Sequence, residues 1–232
     1  MKRIIFSVLF LFLFMGLDHA QNFMLKVTPT ISTATVAVDA DSAKDTIKAH
    51  TAGGLKSVTV GMRVVGTSIP FGSYVVQVID TTTVRISNKT TNAISNTGVQ
   101  WGYFTSAAYA AGDALGFPLT IQPFRQIKEI IVEDDDKQIT SVDMVFFDTT
   151  FTETKDTAAF SPSDADARRI VGYVTVGGTG FEKSLANNYV MVLPFTDMPL
   201  QFSVKKLYVQ MICVGTPTFT TSSSLHITFI GE

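Results

Sequence analysis

The feature that most constrains this chain is a succession of short period-two apolar runs, broken by turns and almost free of helical periodicity. Val58, Val60, Met62 and Val64 alternate with polar neighbours, Val84 and Ile86 flank Arg85, and Leu225, Ile227 and Phe229 alternate with His226 and Thr228. Side chains on a strand alternate between its two faces, so each run describes a strand with one wet side. Two stretches, 142–147 (VDMVFF) and 207–214 (LYVQMICV), are apolar on both faces. They predict central strands covered on one side by the core and on the other by a second layer or a neighbouring subunit. Turns rich in Gly, Pro, Asn and Thr separate the runs, so the expected fold is an all-β sandwich or barrel. The composition agrees: 46% of the 232 residues are hydrophobic, 18 are Phe, and only 16% are charged. That is enough apolar material for a large core and too little charge for disorder.

One helix is expected. In SPSDADARRIVG (161–172), Ser161 can cap, Pro162 suits the first helical position, and Asp164 and Asp166 favour the N-terminal end. Two turns would bridge two strands. Near the start, Lys2 and Arg3 precede an apolar run from Ile4 to Met15 that ends before Ala20. This is the layout of a secretory signal peptide, cleaved after Ala20, and the run is short for a membrane span.

Composition also divides the chain. Residues 54–101 are rich in Thr, Ser, Val and Gly, whereas 117–214 hold most of the Phe, Met and acidic residues. The first stretch predicts strands at 58–65, 74–79, 83–87 and 98–104, a small barrel or Ig-like unit.

Few residues suit chemistry. The histidines are His19, His50 and His226, no two at metal-ligand spacing, and the one cysteine, Cys213, sits on an apolar strand. There is no HExxH, CxxC or GxSxG pattern, so no enzyme is expected. Trp101 is expected to anchor packing at the domain junction. The glycine-bearing runs at 110–113 and 176–180 lack strand-to-helix grammar and are expected to be turns. The run Glu133-Asp134-Asp135-Asp136 is the best site candidate. It predicts a solvated hairpin turn, or a Ca²⁺ site in which Asp134, Asp135 and Asp136 offer hard oxygen ligands, and no other cofactor. A formal net charge of −2 gives no basic footprint for nucleic acid and none for a polybasic membrane contact.

Two resemblances extend this reading. Residues 57–101 resemble a small β module of phage virion proteins with the pattern GMxVxGxxIPxGxxVxxVxxxTxVxIS. Gly61, Met62, Gly66, Ile69, Pro70, Gly72, Val75, Val78, Thr83, Val84 and Ser87 match it. The segments VTPTIST (27–33), AAYAAGDALGFPLTI (107–121), FSPSDADARRIVGYV (160–174) and VGTPTFTTSSSLHITF (214–229) resemble pieces of the β-sandwich of tailed-phage virion structural proteins. In that family a TPT(I/V)ST segment runs almost directly into AYTAGDALGG. The resemblance therefore implies a jelly-roll-like antiparallel β-sandwich from residues 21–33 plus 105–232, interrupted by a module at 34–104. It implies a virion structural or decoration protein, homo-oligomeric and in contact with other virion proteins. Phe117, Phe124, Phe146, Phe147, Phe181 and Phe195 exceed what a modest core needs, and some are expected to face partner subunits. The signal-like start is the one departure. It favours a second expectation, a secreted bacterial surface or adhesin-like protein that contacts carbohydrate or a host surface.

Overall fold

The computed structural model describes residues 23–27, 35–102, 107–121, 126–139, 141–177, 182–184, 188–195, 200–201, 206–219 and 224–232. The signal-like segment and residues 178–180 of the second glycine run therefore lie outside the described residues, as do Phe124 and Phe181. The fold is nearly all β, with antiparallel sheets and one short helix.

Strand β1 (Phe23–Val27) is followed by six strands that pair only with one another: β2 (Thr35–Ala40), β3 (Thr46–Ala49), β4 (Val64–Val65), β5 (Val75–Val78), β6 (Thr83–Ile86) and β7 (Ile94–Trp101). Their order is β4-β7-β2-β3-β6-β5, and a bridge between Arg63 and Tyr74 joins the two ends into a nearly closed barrel. Its interior holds Val38, Ile47, Leu55, Val64, Val75, Val84, Ile86, Val99 and Trp101, all buried. The outward Arg85 meets Asp45 at 2.7 Å. Trp101, expected at the domain junction, lies in the barrel core instead.

The remaining strands are β8 (Ala107–Ala108), β9 (Ala114–Ile121), β10 (Gln126–Asp134), β11 (Ser141–Phe147), β12 (Ile170–Gly177), β13 (Glu182–Ser184), β14 (Tyr189–Pro194), β15 (Leu200–Gln201), β16 (Leu207–Cys213), β17 (Thr218–Phe219) and β18 (Leu225–Gly231). Two sheets face each other across one core. The first runs β1-β18-β10-β14-β13, with β15 also on β10, and the second runs β12-β11-β16-β9. β1 pairs with β18 along its whole length, from Phe23 opposite Gly231 to Val27 opposite Ile227. Alternation fills the space between the sheets: Ile130 and Val132 from β10, Val142, Met144 and Phe146 from β11, and Leu225, Ile227 and Phe229 from β18.

The doubly apolar strands receive a second cover from the chain itself. On the far side of β11 and β16, Val145, Phe147, Tyr208 and Ile212 pack against Phe151 and Phe160 of the loop after β11 and against Phe71 of the barrel. Phe147 stacks on Phe151 with ring centroids 4.0 Å apart. Phe117, Phe146 and Phe147 are buried within this chain, and Phe195 packs partly buried on the main core. Phe147 belongs to this third layer, whereas Phe146 and Phe195 belong to the main core.

Two sequence expectations differ from the observed elements. The helix α1 is a single turn, Asp164–Ala167, capped by Ser163 rather than Ser161. The Asp166 N–H donates to Ser163 Oγ at 3.1 Å, and the Ser163 hydroxyl donates to the Asp166 carboxylate at 2.9 Å. This reciprocal cap places the start two residues later, and Arg168 already ends the turn before β12 begins. The strand expected over 58–65 shrinks to Val64–Val65. Gly61 adopts φ +91°, a left-handed conformation that turns the backbone, and regular pairing begins only beyond it.

Candidate functional site

Among the described residues, an extensive polar network lies where the barrel meets the sandwich. It is carried by one stretch of the loop between β11 and α1, residues 153–156. Glu153 is almost fully buried, with 5% of its side chain exposed, and its carboxylate takes two donors from the barrel. Arg63 Nη2 lies 2.6 Å away and the Gly72 N–H 2.8 Å away, both on Oε1. Burial pushes the Glu153 carboxyl above its ordinary value, and Arg63 and the Gly72 N–H pull it only part of the way back. The Arg63 guanidinium also rests over the Phe71 ring, 5.7 Å from its centroid. Phe71 in turn meets Phe151 and Tyr208 edge-on, at 5.5 and 5.2 Å.

Lys155 reaches the other side of the barrel, where its ammonium donates to the Gly98 carbonyl. Burial lowers its pKa. Only glycine suits position 98: a Cβ there would stand 2.7 Å from the Thr35 methyl and 3.5 Å from Lys155 Nζ. Asp156 completes the seam. Its N–H donates to Gln100 Oε1 at 2.6 Å, and its carbonyl accepts from Gln100 Nε2 at 2.8 Å. One side-chain amide on β7 therefore pairs with the loop as a strand would. The Asp156 carboxylate faces the sandwich instead, accepting from the Tyr109 hydroxyl at 2.7 Å and the Gly116 N–H at 2.8 Å. Burial, then the Asp156 charge, raises the Tyr109 pKa.

A half-open cleft of about 450 Å³ runs along this joint, lined in part by Ser68, Phe71, Thr91, Thr152, Lys155 and Asp166. Ser68 holds a left-handed φ of 66°, and its carbonyl accepts from the Thr91 N–H at 2.9 Å. Around the cleft Glu153, Lys155, Asp156 and Arg63 are each engaged by a neighbour across the joint. Such an arrangement fixes two bodies in one orientation.

The acidic run folds into the turn between β10 and β11, and its three carboxylates go separate ways. Asp134 is buried and accepts from its own turn: the Asp136 N–H at 3.0 Å, the Gln138 N–H at 2.5 Å and the Ile139 N–H at 2.7 Å. Burial raises its pKa against the pull of these three donors. Asp135 reaches His226 Nε2 at 3.2 Å, and Asp136 accepts from the Ser224 hydroxyl at 2.6 Å. Among the described residues no group of three His, Cys, Asp or Glu side chains converges as a metal would require. The expected solvated turn is therefore built around a buried acid, and the carboxylates of Asp134, Asp135 and Asp136 each have a different set of partners in this geometry. Asp134→Ala is expected to cost about 2–3 kcal/mol by stranding the turn's N–H groups. Calcium is expected to leave the melting temperature of the unaltered protein unchanged; thermal melts with and without the ion check both.

The other singled-out residues have structural settings. His50 Nδ1 lies 2.9 Å from Asp39, whose carboxylate also accepts the Asn96 N–H at 2.8 Å. Cys213 is buried, and burial pushes its thiol up to about 11. Residues 110–113 form a turn in which the Ala110 N–H donates to the Asp113 carboxylate at 2.8 Å.

Stability should depend on pH in two opposed ways. Glu153 and Asp134 have raised pKa values, so the folded state binds their protons more readily than the unfolded chain does. Their penalty exists at neutral pH and is relieved as pH falls through the raised values towards the ordinary ones. Asp39, Asp45 and Asp80 are lowered, chiefly by the Asn96 N–H, by Arg85 and by the Thr82 hydroxyl respectively. Their stabilisation is present above the ordinary carboxylate value and is lost as pH falls below it. The melting temperature is therefore expected to peak in mild acid, above that ordinary range. Glu153→Gln should flatten the neutral side of the peak in a calorimetric pH series.

Comparison with protein-family models, with curated proteins and with solved structures gives no match. The joint residues were not singled out from sequence. Their only signal was the polar string Glu-Thr-Lys-Asp between Phe151 and Phe160, with Gln100 set in an otherwise apolar strand end.

Proposed function

We propose that this chain is a non-catalytic structural component of a tailed-phage particle, in which the sandwich assembles with its neighbours and the barrel is held out at a fixed angle. The observation that carries this reading is the joint. Arg63–Glu153, Lys155–Gly98 and Gln100–Asp156 fasten the barrel at separate points, with Phe71 wedged between them. A part whose orientation matters within a larger object needs such a mounting, whereas a tethered sensor works on a loose linker. The resemblance of residues 57–101 and of the four sandwich segments to virion proteins supports the same reading.

The test is labelling of particles banded on a density gradient with an antibody raised against the chain. Label on the particles is the expected result, and a chain confined to the unassembled fraction overturns it. The signal-like layout of residues 1–20 favours a second reading, a secreted bacterial surface protein. In that case the label falls on the cell envelope.

A further inference from the structure

The cleft along the joint holds chemistry that the fastening does not use. Its volume of about 450 Å³ lies within the range of small-molecule sites. One wall comes from residues 66–71 and Thr91 of the barrel, the other from residues 150–153, Lys155 and Asp166. The barrel wall is set in advance: the left-handed Ser68 is held by Thr91, whose N–H and hydroxyl both donate to the Ser68 carbonyl, at 2.9 and 3.3 Å.

The charges around the cleft are unevenly matched. Arg63 and Glu153 neutralise each other at 2.6 Å. Lys155 has no carboxylate within ion-pair distance among the described residues. Its ammonium donates to the neutral Gly98 carbonyl, and burial acts on it without an opposing charge. An ammonium carries three donors, so two remain. Asp166 takes the Ser163 hydroxyl and the Thr152 N–H on Oδ2, at 2.9 and 3.3 Å, which leaves Oδ1 without a protein partner among the described residues. The hydroxyls of Ser68, Thr150 and Thr152 are in the same position. Phe71 and Phe151 add apolar rings to the lining.

We infer that the joint cleft binds an acidic saccharide, a sugar ring that carries a carboxylate. The carboxylate supplies Lys155 with its missing counter-charge through charge-assisted hydrogen bonds. Ring hydroxyls both donate and accept, so they serve Asp166 Oδ1 and the serine and threonine hydroxyls together. The apolar face of the ring suits Phe71. A neutral sugar would leave Lys155 uncompensated, and a bare anion would set its charge against Asp166 with no hydroxyl between them.

The test is saturation-transfer NMR on the full chain, with glucuronate, glucose and inorganic phosphate as separate probes. Glucuronate is expected to bind with a Kd of about 1 mM, and glucose and phosphate at least about tenfold more weakly. Lys155→Met keeps the apolar stem and removes the ammonium, and should bring glucuronate down to the level of glucose. Thr152→Val removes one hydroxyl from an exposed position and should weaken glucuronate a few-fold at an unchanged melting temperature. Tyr173→Ala, on the exposed face of β12, should leave binding as it is. Absence of saturation transfer from glucuronate at tens of millimolar overturns the site, as does glucose binding equally well. Phosphate binding as tightly as glucuronate also overturns it, since the cleft would then hold only an anion. Unchanged glucuronate binding by Lys155→Met does the same, and if that variant melts lower than the parent, Thr152→Val decides by the same criterion. Particle labelling and sugar binding are independent, so either reading can fail alone.

Discussion

Replacing Asp156 by alanine is expected to destabilise the fold by about 3–5 kcal/mol, because it leaves buried partners of a charged group without their acceptor. Asp156 is essentially inaccessible, and its carboxylate receives the Tyr109 hydroxyl, the Gly116 N–H and, at 3.1 Å, the Thr157 N–H. The Tyr109 and Gly116 donors are buried, whereas the Thr157 N–H also has the Ala114 carbonyl at 3.0 Å. Asp156→Asn should cost less, since one side-chain oxygen still accepts. The main-chain pairing with Gln100 uses the Asp156 N–H and carbonyl, so both variants retain it. Urea unfolding followed by tyrosine and tryptophan fluorescence separates the effects. Trp101 reports the barrel, and Tyr109 lies in the sandwich. A loss in the sandwich transition that exceeds any loss in the barrel is the expected pattern, and equal stability of Asp156→Ala and the parent would remove the network from the account.

Phe147→Ala is expected to cost a similar amount, about 3–5 kcal/mol, by opening a cavity in the third layer. Phe147 is fully buried, stacks on Phe151 and meets Phe160 edge-on at 6.4 Å. The informative quantity is the dependence on protein concentration. A side chain covered by a neighbouring subunit would lose stability in proportion to subunit dissociation, so the deficit would change on dilution. Covered by its own chain, as here, it should lose the same amount at every concentration. Denaturant titrations at two widely spaced concentrations distinguish the cases.

That third layer marks the limit of what the alternation could reveal. The sequence pattern of VDMVFF and LYVQMICV correctly demands a cover on both faces, and it predicts the sandwich from strands such as Leu225, Ile227 and Phe229. Pattern alone is silent on who supplies the second cover, because Phe71, Phe151 and Phe160 come from loops whose periodicity carries no signal. The 58–65 alternation misled for a related reason. Period two is a statement about side chains, and Gly61 decides the backbone there through a conformation that a missing Cβ permits. The joint was hidden differently. Gln100 and Asp156 meet only after the barrel has folded back on the loop, and nothing local marks an amide destined to pair with a distant backbone. In the acidic run the charges were visible, but not the curl of the turn that encloses Asp134 within its own N–H groups.

The pairing of β1 with β18 has a consequence for how the protein comes into being. Every strand of the barrel lies between residues 35 and 101 and pairs within that span, so the barrel is complete in its strand pairing while the rest of the chain is still being made. The first sandwich sheet has no such freedom. β18, the last of the described strands in chain order, lies between β1 and β10 and bonds to both. Until β18 has been made, β1 lacks the strand it pairs with among the described residues, and β10 lacks one of its neighbours. The molecule is therefore built from the inside of its sequence outward, with the barrel as an early folded island and the sandwich closing in one late step.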